Sequence, residues 1–283
     1  MKRILFLLLA LPVVAGILYS CKSGPVVPPI TEETELPSTL NISVILDLSD
    51  RLTRDLTPNQ TYRDTAVINY LIDHFCKQTL GPQILKSQNK MKIFFFPTPS
   101  DPTISNLAKG LNVDLAEKKG VEKRKALDEM KKSFQNNLTQ IYEQTLKAQN
   151  WIGCDIWDFF SSKKVDKLCI KNNARNIVVI LTDGYIFAEN NKIKEGANAF
   201  SYILPQTLAV EGSYLIDRRG GDLKGKNLEV LMLEINPYQT AHRDKMVSII
   251  EKWFTDMDIE KFDIAETDAN LTNTQTIIQN FLQ

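Results

Sequence analysis

Histidine is nearly missing from this sequence. His74 and His242 are the only two in 283 residues, and they stand far apart. Zinc sites and histidine-based acid–base chemistry therefore have little to draw on. No charge of one sign dominates either, since 34 Lys and Arg face 34 Asp and Glu. That balance removes the electrostatic reason to expect nucleic acid as a partner. There is no P-loop and no G-x-S-x-G elbow, which excludes the commonest phosphate cradle and the commonest serine-hydrolase turn. No internal repeat occurs, and no long apolar run follows the first twenty residues.

The first residues carry the clearest signal. Met1, Lys2 and Arg3 form a positive start, Ile4 to Leu18 is an apolar run, and Leu18-Tyr19-Ser20-Cys21 follows. Charge, apolar stretch and small residue in this order are what a secretory signal requires. The run is shorter than the roughly 20 apolar residues of a spanning helix. The quartet resembles the lipobox of bacterial lipoproteins, with Tyr19 an uncommon occupant of its place. That resemblance implies diacylglycerol on the Cys21 thiol and a new N-terminus there. Three closely spaced prolines (Pro25, Pro28, Pro29) and Pro37 make the next stretch a semi-extended spacer. The expected organisation is a signal peptide over 1–20, a lipidated tether over 21–39 and one domain over 40–283. Lys22 is not a retention residue and no acidic run follows it. The expected location is thus the cell envelope, at the outer membrane facing the periplasm, with surface exposure as the alternative and the lipid as the one membrane contact.

Lys2 and Arg3 leave with the signal, so 34 basic and 34 acidic residues become 32 and 34, a formal charge of −2. Three cysteines remain. In an oxidising compartment at least one pair is expected, and Cys154 and Cys169 are chosen because they flank the aromatic stretch Asp155 to Phe160, which fits neither helix nor strand well. Cys76 sits within the helical pattern Val67, Leu71, Ile72, Phe75 and reads as a buried free thiol.

The rest alternates. Ile42 to Leu46, Met91 to Phe96, Asn176 to Leu181 and Leu228 to Leu233 read as buried strands, with Phe262 to Ala265 a shorter one. Tyr62 to Leu80, Glu122 to Asn150, Ala241 to Trp253 and Thr274 to Leu282 read as helices, the second broken near Asn136-Asn137. Asp101 to Val121 leaves room for a short strand. This pattern predicts an α/β fold: a doubly wound, mostly parallel sheet with helices on both faces. Such sheets place their sites outside the carboxyl ends of the strands. Two strands here end in polar acidic clusters, Asp47-Leu48-Ser49-Asp50-Arg51 and Thr182-Asp183-Gly184, which topology brings to one edge. The plain reading of such residues is helix capping and turn formation, with Gly184 serving backbone conformation.

Asp47-x-Ser49-x-Arg51 and the later Thr182-Asp183-Gly184 together resemble the von Willebrand factor type A domain. That family carries a metal-ion-dependent adhesion site with a first motif D-x-S-x-S, a threonine from a middle loop and a final aspartate. The resemblance spans residues 40 to 282 in element order and implies metal ligation by Asp47, Ser49, Thr139 and Asp183. Thr139 is the loop candidate because Asn137-Leu138-Thr139 looks like the start of a helix. Arg51 departs from the motif, because guanidinium is a permanent cation with donors only. Two neighbouring carboxylates need a cation between them. Either Mg²⁺ or Mn²⁺ with several waters, or the Arg51 guanidinium, is expected to fill that place.

The function expected from these residues is non-catalytic: a membrane-anchored domain that binds another protein through this edge, in adhesion or envelope-complex assembly. The alternative is a metal-dependent phosphoester hydrolase using the same acids. Against it, no histidine lies near either cluster to activate Ser49.

Overall fold

The computed structural model describes residues 39–189 and 192–283. The signal, Cys21 and nearly all of the tether lie outside the described residues. Strands are β1 (Thr39–Leu46), β2 (Lys90–Phe94), β3 (Asn112–Asp114), β4 (Gly153–Cys154), β5 (Ala174–Leu181), β6 (Phe187–Ala188), β7 (Ala199–Phe200), β8 (Ser213–Tyr214), β9 (Leu228–Ile235) and β10 (Lys261–Glu266). Helices are α1 (Gln60–Thr79), α2 (Pro102–Lys109), α3 (Val121–Ala148), α4 (Ile156–Ser161), α5 (Lys164–Cys169), α6 (Pro205–Leu208), α7 (Arg243–Asp256) and α8 (Thr272–Leu282).

Six strands form the main sheet in the order β10-β9-β5-β1-β2-β3. All neighbours are parallel except β2 and β3. The central strands read as apolar runs because both faces are covered. On β5, Ile177, Val179 and Leu181 join one core with α1, α3 and α8, while Val178 and Ile180 join the other with α4, α5 and α7. Strand periodicity of two splits each run this way. The sheet is therefore doubly wound, with helices on both faces as its strand pattern predicts. The chain leaves β1 toward β2, then returns to β5 on the other side. The order reverses between β1 and β5, and a site is expected where they end.

Local chemistry sets the helix starts. Asn59 caps α1 by accepting from the Tyr62 N–H, and Asp101 caps α2 ahead of Pro102. The segment 101–121 thus holds a helix as well as the edge strand β3. Helix α3 runs unbroken through Asn136-Asn137. Leu127, Met130, Phe134, Leu138, Ile141 and Tyr142 keep helical spacing on its buried face across the asparagine pair. Asn137 instead donates to the Leu107 carbonyl at 3.3 Å, tying α3 to α2.

The aromatic stretch after Cys154 is helix α4, started by Asp155 accepting from the Asp158 N–H at 3.0 Å. Ile156, Trp157, Phe159 and Phe160 are all buried, so only Asp158 and Ser161 are left to mark a solvent side of this short helix in the sequence. This overturns the expected disulfide. Cys154 lies in the field of Asp47 and Asp183 at the carboxyl edge. The Cys169 carbonyl accepts from Asn41 near the amino end of β1, at 2.7 Å. Helices α4 and α5 carry the chain between those levels, and both cysteines are free and buried. Burial pushes both thiols up, Cys169 to about 11. Neither residue should react with a thiol reagent in the native protein. In denaturant without reductant both should alkylate fully by mass spectrometry, and a 2 Da deficit in a peptide pair would show a bridge.

Candidate functional site

Strands β1, β5 and β9 each bring one carboxylate to the carboxyl end of the sheet. Asp47 follows β1, Asp183 follows β5 by two residues, and Glu234 is the penultimate residue of β9. The pairing of Leu46 with Leu181 sets the first two side by side. The Asp47 N–H donates to the Leu181 carbonyl at 3.0 Å, and the Thr182 hydroxyl donates to Asp47 Oδ2 at 2.8 Å. Glu234 takes a left-handed backbone, φ 71°, where the β9–β10 register also shifts. A buried non-glycine residue in that region is held there by its surroundings.

Each acid is matched by an arginine from the segment 51–63: Arg51 and Arg54 from the connection between β1 and α1, and Arg63 from the first turn of α1. Arg51 is fully buried; its Nε donates to the Asp47 carbonyl at 2.9 Å and lies 3.7 Å from Asp47 Oδ2. Its other nitrogens grip Asp64 in two-point fashion, at 3.3 and 2.8 Å. Arg54 Nη2 donates to Asp183 Oδ2 at 2.7 Å. Arg63 donates from Nε and Nη2 to the two oxygens of Glu234, at 2.6 and 3.0 Å. Gln60 bridges Asp64 and Glu234 at 3.0 and 3.2 Å, and the Tyr142 hydroxyl donates to Asp64 at 3.1 Å. Burial opposes the Arg51 charge, but Asp64 and Asp47 outweigh it and hold the guanidinium above its ordinary pKa.

Of the expected ligands, Asp47, Ser49 and Asp183 converge and Thr139 does not. Thr139 lies on the exposed side of α3, and its hydroxyl donates to the Gln135 carbonyl one turn back. The cause is the helix that continues through Asn137, leaving no loop there. Arg51 points inward and pairs with Asp47, as its cation reading requires, but it does not reach Asp183. Arg54 fills that place.

These residues do not fit a divalent cation as arranged. Asp47 Oδ1 accepts from the Ser49 N–H at 2.8 Å and Oδ2 from Thr182, beside Arg51. Asp183 Oδ1 accepts from the Tyr185 N–H at 3.1 Å and Oδ2 from Arg54. All four oxygens are already engaged, and an ion placed between them would face two guanidinium groups.

Arg54, Arg63, Asp64 and Glu234 were not legible as site residues. The usable signal was Glu234, an acid directly after the apolar run Val230 to Leu233, which calls for a buried partner.

Neither a family model nor a curated protein matches the chain. Among solved structures, the chain is similar to the pilus adhesin SpaC from Lactobacillus rhamnosus GG in its open conformation. Identity is 14% and the TM-score 0.40, over 86% of this chain and 30% of that one. The chain thus spans under a third of that adhesin's length, and a likeness of this size bears on neither partner nor activity.

Two outcomes test the charge network. Asp64→Ala leaves Arg51 buried with its main partner gone and should cost about 3–5 kcal/mol. Thr139→Ala, on the solvent side, should stay within about 0.5 kcal/mol. Chemical denaturation of both variants reads the contrast directly.

Asp183 titrates far from the ordinary carboxyl range. Burial and the Asp47 charge push it up to about 7, against the pull of Arg54. The folded state therefore holds a proton between about pH 4 and 7 that the unfolded chain has released. Stability from this group is fully present below the unfolded pKa and is lost as pH rises through the folded one. Unfolding free energy of the wild type minus that of Asp183→Asn should fall across this window. A flat difference would show that Asp183 does not carry the proton.

Proposed function

We propose that the chain is a lipid-anchored envelope protein whose domain, of von Willebrand factor type A character, binds another protein through the carboxyl edge of its sheet. One observation carries this reading: the strand-end carboxylates Asp47, Asp183 and Glu234 each lie against an arginine of the segment 51–63, which runs from the β1–α1 connection into the first turn of α1. A carboxylate that accepts hydrogen bonds from a guanidinium is a poor general base, and no histidine lies among these residues to replace it. What the edge offers instead is a fixed pattern of charge and aromatic surface, which suits recognition. Tyr238, more than half exposed, and the exposed Asp50 and Thr53 give it contact groups facing solvent. The two-motif resemblance and the element order from β1 to α8 support the family reading.

A photo-crosslinking residue at Thr53 should capture a protein from intact envelopes. The same residue at Val121 should not, since α3 starts at the opposite end, where Lys123 reaches the Ser87 carbonyl before β2. Equal capture at both positions would refute the edge as the binding surface.

The anchor has its own test. A fatty-acid probe should label the wild type and not Cys21→Ala, and equal labelling would end the lipoprotein reading.

A further inference from the structure

Arg54 is the least enclosed of the three arginines. Its side chain keeps 11% exposure, against 0% for Arg51 and 1% for Arg63. Arg63 sits in α1 and Arg51 in a 3₁₀ turn (50–53), whereas Arg54 begins an extended stretch that reaches α1 only at Gln60. Its Nε is buried without a partner, so its donors are incompletely used.

The seat it occupies is built from other parts of the chain. Asp183 supplies a carboxylate at 2.7 Å from Nη2, and the Asn236 carbonyl accepts from Nη1. The guanidinium carbon lies 3.8 Å from the centroid of the Tyr238 ring. Tyr185 stacks against Tyr238 at 5.4 Å, and the Tyr185 hydroxyl accepts from the Tyr238 N–H at 3.0 Å, fixing the wall. These groups follow β5 and β9; only their occupant comes from the β1–α1 connection. A buried carboxylate, a carbonyl and an aromatic face together match a planar guanidinium better than any other side chain. Tyr238 is 56% exposed, so the seat opens to solvent.

We infer that this seat is a recognition site for a basic side chain, arginine before lysine, carried by a protein partner, and that Arg54 is its internal occupant. The inference rests on the proposed reading of this edge as a protein-binding surface and gives that surface its chemistry. An intramolecular occupant competes at high effective concentration. A partner must therefore bring further contacts, and a small ligand should enter only when Arg54 is gone.

The test uses the full chain as Arg54→Ala and as Arg54→Ala with Asp183→Asn. Each is titrated with N-acetyl-arginine amide, N-acetyl-lysine amide and N-acetyl-glutamate amide and read by Tm and tyrosine fluorescence. The arginine compound should raise the Tm of Arg54→Ala saturably, with lysine weaker and glutamate inert. Wild type and the double variant should respond on the order of tenfold more weakly, since one lacks space and the other the charge-assisted bond. Arg54→Gln serves in the same way if the alanine variant does not fold. A folded variant that ignores the arginine compound, or a double variant that responds equally, overturns the inference. Edge cross-linking without this rescue keeps the protein-binding reading and overturns the seat. Rescue without cross-linking supports a guanidinium site and overturns its protein-borne ligand.

Discussion

The pairing of strand-end carboxylates with three arginines of the segment 51–63, two in the β1–α1 connection and one in the first turn of α1, is the constraint on which the rest of this edge depends. Four acids (Asp47, Asp64, Asp183, Glu234) and two arginines (Arg51, Arg63) keep 5% exposure or less, and a third arginine, Arg54, keeps 11%. Leaving water costs several kcal/mol per ion, so such groups persist only when every member is paired and hydrogen-bonded. That requirement binds the β1–α1 connection to the ends of β5 and β9, elements far away in sequence. Gln60 and Tyr142 complete Asp64 and so tie in α1 and α3 as well. The connection is therefore part of the sheet's carboxyl surface, rather than a loop passing over it.

With the acids counted against the arginines, one negative charge remains. Burial and the neighbouring Asp47 charge raise the Asp183 pKa against the pull of Arg54, so this acid is one place where the excess is taken up as a proton. The same unevenness separates the network into two parts. Arg51 and Arg63 lock structure, with Asp64 and Glu234 gripped by two nitrogens each. Arg54 holds Asp183 through a single nitrogen, gives a second to a carbonyl and lays its face on a ring, leaving Nε without a partner. Rigidity and exchangeability thus sit side by side within one short segment.

Much of the fold was legible because burial on both faces writes itself as continuous apolar runs. Ile42 to Leu46, Asn176 to Leu181 and Leu228 to Leu233 needed no further information to read as inner strands of a parallel sheet. The switch point then located Asp47 and Asp183 without any contact being known. Thr139 failed for a specific reason: asparagines at 136 and 137 suggest a break, but the apolar period on either side of them stays in phase and wins. Cys154 and Cys169 failed because α4 is a short helix with four buried apolar residues out of six, so it left no clear helical pattern and the loop they were expected to close does not exist. Arg54 could not be read at all. Nothing local distinguishes it from a solvated arginine, and its role comes from Asp183, Asn236 and Tyr238, each more than 120 positions away.

Arg51 stands where the motif that this strand end resembles has a hydroxyl, and its consequence reaches beyond its own position. A hydroxyl at 51 would leave the carboxyl edge acidic and in need of a mobile cation, whose free coordination position favours an acidic ligand. A buried guanidinium at 51 instead satisfies Asp47 and Asp64 permanently, because arginine does not deprotonate. The remaining acid, Asp183, is then too lightly neutralised to be inert and too crowded by arginine for a divalent ion. Its complement is another monovalent, planar cation. The guanidinium at 51 thus leaves Asp183 as the acid of this edge on which the inferred seat for a basic side chain is built, while the sheet, its winding and the placement of its acids stay as they are.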